Sequence, residues 1–382
     1  MYWKLKSLTL MPLMLWCVLM SSPVEAHSDP VRMGIFTNHR LSRLAVGGND
    51  LTILGYKQGM PDSLTSNYFI VRPGSWGKVV GTLADAVDYD SLVVISASEI
   101  TVQVNGYRER VYRGRLVCQG RPGYVQPVAI LGMEAYLTGV VHAELGKLSH
   151  PNLWKAQAIV AHTWLMKNQG KFAHDGFSVT DDVRCQVHHG LAPKERQMAL
   201  ASAIDKVSHL YLATLKDSKP IEALFHANSG GALMPSAWYF SHREYLIAKP
   251  DSFSINCPQS EWHRQLSVDE WVKVLATNMG CDIDEGFTEF ATSIQQKHRR
   301  ETLAYQGHEI RLRIIREKFQ LRSTWFWVNK VENGMVHLQG KGYGHGIGMS
   351  QEGAYHMAVT GHDYLAILAH YYPHTRLLTL KH

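Results

Sequence analysis

The residues that most suggest chemistry lie between Gly342 and Gly348, where glycine occupies every second position. Alternate glycines remove the side chains from one side of an extended backbone, so that another backbone or a ligand can approach closely. Ser350 follows at the place of a helix N-cap, and we predict a helix from there through Met357. A glycine-rich loop before a helix N-terminus can bind an anion, and a tightly packed structural turn is the alternative. The spacing matches neither a P-loop nor the dinucleotide fingerprint, which argues against a nucleotide site.

A metal site is the second chemistry that the sequence suggests, because Cys185 and His188 have a Cys-x-x-His spacing. A structural zinc ion usually takes four thiolate or imidazole ligands, and only one cysteine is local here. A Cys185 nucleophile activated by His188 would need a third, orienting group that the sequence does not supply. We therefore expect no cofactor, and zinc bound through these two residues is the alternative.

The elements that must position these residues predict an α+β fold. We expect one large domain, with a β-rich part over about residues 27–131 and a mixed part over about 132–382. Apolar runs predict strands at 31–36, 51–54, 91–96, 100–104, 112–117, 125–131 and 221–227. Helical spacing predicts helices at 134–144, 152–168, 194–209 and 268–279, and a mixture of helix and strand within 310–328.

The first 26 residues have the organisation of a secretory signal peptide. Lys4 and Lys6 precede an apolar run from Leu8 to Met20, and Val24-Glu25-Ala26 ends in small residues that suit cleavage after Ala26. An uncleaved membrane anchor is the alternative, but the apolar run is shorter than the roughly 20 residues that span a bilayer. We therefore expect export to the periplasm or the cell-wall space.

Charge and cysteine content agree with an exported protein. The formal net charge of +6 is spread along the chain without a block of Lys or Arg, which suits an anionic neighbour such as a cell wall but not nucleic acid. Four cysteines follow the predicted cleavage site, and in an oxidising compartment they allow three pairings that sequence cannot distinguish. Cys257 with Cys281 is the pair that we would test.

The glycine-rich run belongs to a set of motifs that resembles the stage II sporulation protein D family. Gly342 to Ala354 is similar to the family's Gly-Trp-Gly-His-Gly-Val-Gly-Met-Ser-Gln-x-Gly-Ala, with Tyr343 in place of tryptophan. Glu134 to Glu144 resembles its Glu-x-Tyr-Leu-x-Gly-Val-Val-x-x-Glu, and Trp154 to Ala158 resembles its Leu-Lys-Ala-Gln-Ala. Further matches follow the family's order at 31–35, 180–187, 226–231 and 321–326.

The resemblance implies a lytic transglycosylase, an enzyme that cuts the MurNAc–GlcNAc bond of peptide-stripped glycan strands and leaves 1,6-anhydroMurNAc ends. It places the catalytic acid on Glu144. Glycoside cleavage needs a carboxylic acid that protonates the leaving oxygen, and the apolar neighbours of Glu144 predict a raised pKa. The sugar's own 6-hydroxyl replaces water, so one carboxyl is sufficient. An ordinary carboxylate at a helix end is the alternative.

The resemblance also implies a substrate groove lined by residues of the matched motifs. The polar candidates for binding sugar are Gln186, Ser229, His345, Ser350 and Gln351, and the aromatic candidates for stacking on it are Tyr343 and Trp325. A hydrogen bond to backbone that only holds the loop is the alternative for His345. Many relatives have Ala-Arg-Thr-Tyr where this chain has Ala161-His162-Thr163-Trp164. If that arginine helps to bind substrate or to shift the pKa of the acid, His162 can replace it only when protonated.

Three functions therefore remain open from the sequence. The first is a lytic transglycosylase with Glu144 as acid and base. The second is a non-catalytic wall-binding protein that stimulates an N-acetylmuramoyl-L-alanine amidase, as relatives in the superfamily do. The third is a metal-dependent hydrolase, which a chelator would inactivate. The expected partners are peptidoglycan glycan strands and, by analogy, a cell-wall amidase or the division or engulfment proteins.

Overall fold

The computed structural model describes residues 29–81 and 87–380, and the predicted signal peptide lies outside them. The described chain divides into two compact units: the first contains residues 29–81, 87–136 and 170–191, and the second contains 137–169 and 192–380. Across the described ranges, no helix combines the length and apolar character needed to cross a bilayer.

The first unit is built on a large mixed sheet, which within the described residues has eleven strands. They are β1 Val31–Gly34, β2 Leu44–Lys57, β3 Met60–Pro73, β4 Val79–Gly81, β5 Asp88–Tyr89, β6 Ser91–Ile95, β7 Ile100–Gln103, β8 Arg110–Tyr112, β9 Arg115–Arg121, β10 Tyr124–Leu131 and β11 Val179–Thr180. The order is β11-β1-β10-β9-β6-β2-β3-β4-β5, with β7 paired to β2 and β8 paired to β7. All pairs are antiparallel except β1 with β11.

The longest hairpin of this sheet extends well beyond the strand predicted at 51–54. β2 and β3 pair from Leu44 and Val71 to the turn at Gln58 and Gly59, both of which have positive φ angles, as type I′ hairpin turns require. The first six residues of β3 are exposed. A strand held by backbone pairing along an exposed face carries no apolar signal, which is why the sequence did not reveal it.

Two helices follow the sheet, α1 (Met133–Leu145) and α2 (Pro151–Asn168), as predicted. Pro151 occupies the first turn of α2, and the His150 side chain caps it by accepting from the Asn152 backbone N–H at 3.2 Å. Every residue from Ala156 to Leu165 is buried. The helix is therefore enclosed on several sides, as its nearly uniform apolar composition indicates.

The second unit continues with helices and short sheets. Its further elements are α3 Lys194–Asp205, β12 Leu210–Thr214, β13 Phe225–His226, β14 Ala232–Leu233, β15 Lys249–Pro250, β16 Glu261–Ser267, α4 Val268–Met279, α5 Glu285–Thr292, β17 Thr302–Tyr305, β18 His308–Arg311, α6 Leu312–Lys318, β19 Trp325–Glu332, β20 Met335–Lys341, β21 Met349–Ser350, α7 Gln351–Val359, α8 Tyr364–Tyr371 and β22 Thr375–Thr379. The pairings are β16-β20-β19, β12-β22, β13-β21, β14-β15 and β17-β18. The α+β class is confirmed.

An aromatic core supports the hairpin that leads into the glycine-rich run. Trp271 of α4 is fully buried, its ring lies 5.0 Å from that of Phe319 and 5.9 Å from that of Phe326, and its indole N–H donates to the Ala291 carbonyl at 2.8 Å. Phe326 belongs to β19, which pairs with β20 immediately before the run. The cysteines among the described residues are free, so the Cys257–Cys281 disulfide is not formed.

Candidate functional site

The glycine-rich run is a loop between β20 and β21 that lies directly against another backbone segment. Its four glycines all have positive φ, from 70° at Gly348 to 111° at Gly344. A Cβ added at Gly348 would lie 2.1 Å from the Leu224 carbonyl oxygen, and one at Gly344 would lie 2.7 Å from the His226 Cβ. The alternating glycines therefore let the backbone of residues 224–231 approach the loop closely. This agrees, for this side of the loop, with the tightly packed structural turn named as the alternative to an anion site.

Asn228 joins the glycine loop to this neighbouring segment. Its backbone exchanges hydrogen bonds with Tyr343 at 3.0 and 2.8 Å, and its side-chain amide donates to Glu352 Oε2 at 2.7 Å. Asn228 is fully buried. Burial raises the pKa of Glu352, while the bonds from Asn228 and the Gln259 backbone N–H oppose that rise. The loop is therefore held by a polar buried contact and not by apolar packing alone.

Ser350 caps α7 as predicted, and it shares a buried network with Ser229. The Ser350 hydroxyl oxygen accepts from the Gly353 and Ser229 backbone N–H groups at 3.3 Å each, and it lies 2.8 Å from the Ser254 hydroxyl oxygen. The Ser229 hydroxyl donates to Asp251 Oδ2 at 2.8 Å. Both predicted sugar-binding serines are fully buried, so in this conformation their hydroxyls shape the loop from inside.

Asp251 is the centre of this network, and the sequence analysis missed it. Its carboxylate is fully buried and accepts from Ser229 and Ser254 on one oxygen and from the Tyr371 hydroxyl at 3.2 Å on the other. Burial raises its pKa, but bonds from His370 and the two serines outweigh burial and hold the pKa below its usual value. A lone aspartate after a proline carries no sequence signal of such a role.

His345 is held within its own loop. Its Nδ1 accepts from the Ile347 backbone N–H at 3.1 Å, and its ring centroid lies 5.3 Å from that of His226. Burial and the nearby Arg316 lower the pKa of His345 to about 4, so the imidazole is neutral at pH 7. The bond from Ile347 agrees with the backbone-holding alternative named for His345, and sugar binding by this residue stays a prediction.

The remaining predicted residues of this loop differ in exposure. Tyr343 is 42% exposed, and the Arg322 guanidinium lies 5.3 Å from its ring centroid. Gln351 is nearly buried, and its amide donates to Gln157 Oε1 at 3.4 Å. Tyr343 is thus the member of the signature that offers an aromatic face at the surface.

Arg299 is a second functional candidate that the sequence analysis missed. Its guanidinium donates to the Ser229 carbonyl at 2.5 Å, lies 5.3 Å from the Trp325 ring centroid, and would be 3.0 Å from a Cβ added at Gly346. Burial lowers its pKa to about 10. Arg299 is one of two adjacent arginines in the polar stretch 295–301, where each looks like a solvated charge in sequence, so its burial could not be predicted.

Glu144 lies in the last turn of α1, and the segment that follows it is fixed by Arg196. Its side chain is partly exposed between the buried residues Val141 and Leu145. The Arg196 guanidinium of α3 donates to the carbonyls of Gly146 and, at 2.7 Å, Leu148. A carboxyl between apolar neighbours that still reaches solvent can exchange a proton with a bound ligand.

His162 lies in the interior of α2. It is 1% exposed, and its Nδ1 lies 2.8 Å from the Leu210 carbonyl oxygen. Burial lowers its pKa, with the Leu210 bond opposing that change, so the ring is neutral at pH 7. The contact of His162 with substrate stays a prediction, and a neutral imidazole in the interior of the helix does not favour it.

Gln186, Cys185 and His188 belong to the first unit. Tyr136 donates to Gln186 Oε1 at 2.9 Å, and the His188 ring is stacked on Tyr136 and Tyr112 at centroid distances of 5.8 and 5.9 Å. Burial lowers the pKa of His188 to about 3. Nowhere in the described ranges do three or more His, Cys, Asp or Glu side chains form a group that could hold a metal ion.

Comparisons with known proteins agree with the motifs. A family model described as "Stage II sporulation protein" matches residues 122–213. The chain is 30% identical over 253 residues to stage II sporulation protein D of Bacillus amyloliquefaciens, covering 63% of this chain and 72% of that protein. It is 27% identical over 265 residues to the Bacillus subtilis protein of the same name, covering 66% and 76%. An amidase enhancer of B. subtilis is 38% identical over 91 residues, which cover 24% of this chain and 12% of the enhancer.

Proposed function

Because the chain belongs to the stage II sporulation protein D family, we propose that it is a peptidoglycan lytic transglycosylase with Glu144 as general acid and base. The observation that carries this proposal is the place of Glu144. It ends the motif helix α1, stands partly exposed between buried apolar residues, and precedes a segment fixed by Arg196. The same motif lies within the region that matches the family model.

The proposed reaction needs one carboxyl. Protonated Glu144 donates its proton to the glycosidic oxygen as the bond between that oxygen and the MurNAc anomeric carbon breaks. The resulting carboxylate then removes the proton of the MurNAc 6-hydroxyl, whose oxygen bonds to the anomeric carbon and closes the 1,6-anhydro ring. Glu144 is reprotonated in this second step, and no water is consumed. The first step requires a protonated Glu144, as the sequence predicts from the apolar residues around it.

The proposed substrate is a glycan strand, most simply one without stem peptides. Tyr343 and Trp325 offer partly exposed aromatic faces on which a sugar ring could stack. The enclosed residues Ser229, Ser350 and His345 support such a surface by fixing the loop beneath it. Export to the periplasm or cell-wall space, and action beside an amidase or division or engulfment proteins, belong to the same proposal.

The second candidate function is stimulation of an amidase without cleavage of glycan. It is favoured by the 38% identity to an amidase enhancer over 91 residues. The same aromatic faces would then hold the wall polymer, and Glu144 would have no chemical part. The two functions differ in whether a glycosidic bond is broken.

The test is incubation of residues 27–382 with amidase-treated, peptide-free glycan strands, followed by mass spectrometry of the products. We expect anhydro-muramyl ends from the wild type and none from Glu144→Gln. Glu195→Gln, the same change at an exposed position of α3, is the matched control and should remain active. Reducing ends with an added water would make the protein a hydrolase. Intact strands with both proteins, and binding retained, would favour the amidase-stimulating function.

A further inference from the structure

The second unit contains a cavity of about 450 Å³, and Trp325 is the one lining residue that the catalytic proposal also uses. Two tryptophans and three basic side chains, Trp238, Trp325, Lys249, His298 and Arg299, line it together with small or apolar residues of β14, β15 and the neighbouring loops. Its volume lies in the range of small-molecule sites, which combine aromatic walls with a few polar groups.

The ionisable side chains of the cavity wall are all of basic types. Lys249, His298 and Arg299 are basic, and the described residues that line the cavity include no aspartate or glutamate. Asp251, one residue beyond the lining residue Pro250, is fully buried and already accepts bonds from two serines. An anion entering the cavity would therefore meet the positive charge of Arg299, whereas Asp251 partly balances that of Lys249.

Within the described ranges, three buried donor groups at or near Arg299 also lack a hydrogen-bond partner. The Nε atoms of Arg299 and Arg316 and the hydroxyl of Tyr239 are buried and have no hydrogen-bond partner among the described residues. The two guanidiniums repel each other, and Arg316 acts with burial to lower the pKa of Arg299. A bound anion would relieve this repulsion, which no described carboxylate does at present.

The aromatic walls select among anions. Trp238 and Trp325 are both partly exposed, and the Trp325 indole N–H donates to the Gln296 carbonyl at 3.3 Å, which fixes the orientation of its ring. A fixed indole favours a ligand with a flat apolar face, such as the C–H face of a pyranose. A small inorganic anion would leave these surfaces unused.

We propose that this cavity is a binding subsite for an acidic sugar, a pyranose that packs on tryptophan while its carboxylate is held by Lys249, His298 and Arg299. Both Nη atoms of Arg299 already bind protein atoms, so this residue attracts the carboxylate through its charge. One source of such a ligand is a muramic acid residue with a free lactyl group, and for this source the subsite rests on the proposed function. A uronic acid polymer is the other source of the same chemistry.

The test compares ligands that differ only in charge, so that the protein stays intact. Residues 27–382 carrying Glu144→Gln are titrated with the GlcNAc–MurNAc disaccharide and with its methyl ester, and binding is measured calorimetrically. We expect the free acid to bind about tenfold more tightly than the ester. Equal affinities would overturn the subsite and leave the lytic assay, done separately on the wild type, to decide the proposed function.

Variants of the wall give an independent test. His298→Glu places a negative charge at an exposed lining position and should remove most of the preference for the free acid, without changing affinity for the ester. His263→Glu, at an exposed position outside the cavity, is the matched control and should keep the preference. A glucuronic acid disaccharide that binds as tightly as the muramic one would identify the second source. Tighter binding of glycerol phosphate than of either acid would refute the carboxylate assignment.

Discussion

Replacement of Gly348 by alanine tests whether the close approach of two backbones builds the glycine loop. Gly348 has φ +70°, and an added Cβ would lie 2.1 Å from the Leu224 carbonyl oxygen. That oxygen cannot simply move away, because it accepts from the Met349 backbone N–H at 3.0 Å and from the Tyr372 hydroxyl. Gly348→Ala should therefore strain the backbone and also separate the loop from its neighbour.

Gly334→Ala is the matched control. Gly334 has φ +72°, nearly the same as Gly348, but an added Cβ would meet nothing within 4 Å. A left-handed backbone conformation costs a non-glycine residue roughly 1–2 kcal/mol, and both variants should lose this amount of unfolding free energy. Overpacking adds about 1–3 kcal/mol to Gly348→Ala alone. We expect Gly348→Ala to be less stable than Gly334→Ala by about the overpacking amount.

The assay is urea unfolding followed by tryptophan fluorescence and circular dichroism. The quantity compared is the difference in unfolding free energy between the two variants, taken from transitions with equal slope. Glycan binding is measured on both in native buffer, where Gly348→Ala should bind more weakly. If Gly348→Ala proved as stable as Gly334→Ala, the loop would not depend on its contact with Leu224.

Two further predictions concern Asp251 and the metal alternative. The pKa of Asp251 is lowered on folding, so its contribution to stability is complete above the unfolded value of about 4 and is lost as pH falls through the folded pKa. Asp251→Asn should therefore cost about 1.5–3 kcal/mol at pH 7 and less below pH 4; a cost independent of pH in urea unfolding would contradict this. Treatment with EDTA should leave glycan cleavage unchanged, as measured by anhydro-muramyl product. Loss of that product, restored by zinc, would favour the metal-dependent reading at Cys185 and His188.

The sequence predicted the elements whose signals are local. The sequence predicts the helices α1, α2 and α4 and the cap at Ser350 to within a few residues. It can do so because the apolar spacing and the capping residues lie within the segments themselves. The strand predicted at 221–227 is only Phe225–His226. It is held by parallel pairing to β21, a distant partner that no local pattern indicates.

The site was harder to predict than the fold. Asp251 and Arg299 gain their roles from burial and from partners elsewhere in the chain, and neither has a distinctive neighbour in sequence. Ser229 and Ser350 were singled out because their motifs match a family, but the structure places both hydroxyls in a buried network. Motif position identified residues that matter without showing whether they face a ligand or the interior.

The pairing of β13 with β21 has a consequence for how the molecule forms. His226 and Ile347, which are joined by a hydrogen bond in this region, are 121 residues apart in the chain. Contacts between distant segments cost loop-closure entropy before they contribute stability, so high contact order slows folding. The glycine loop should therefore be among the last parts to gain protection from hydrogen exchange during refolding, well after the local hairpin β19–β20.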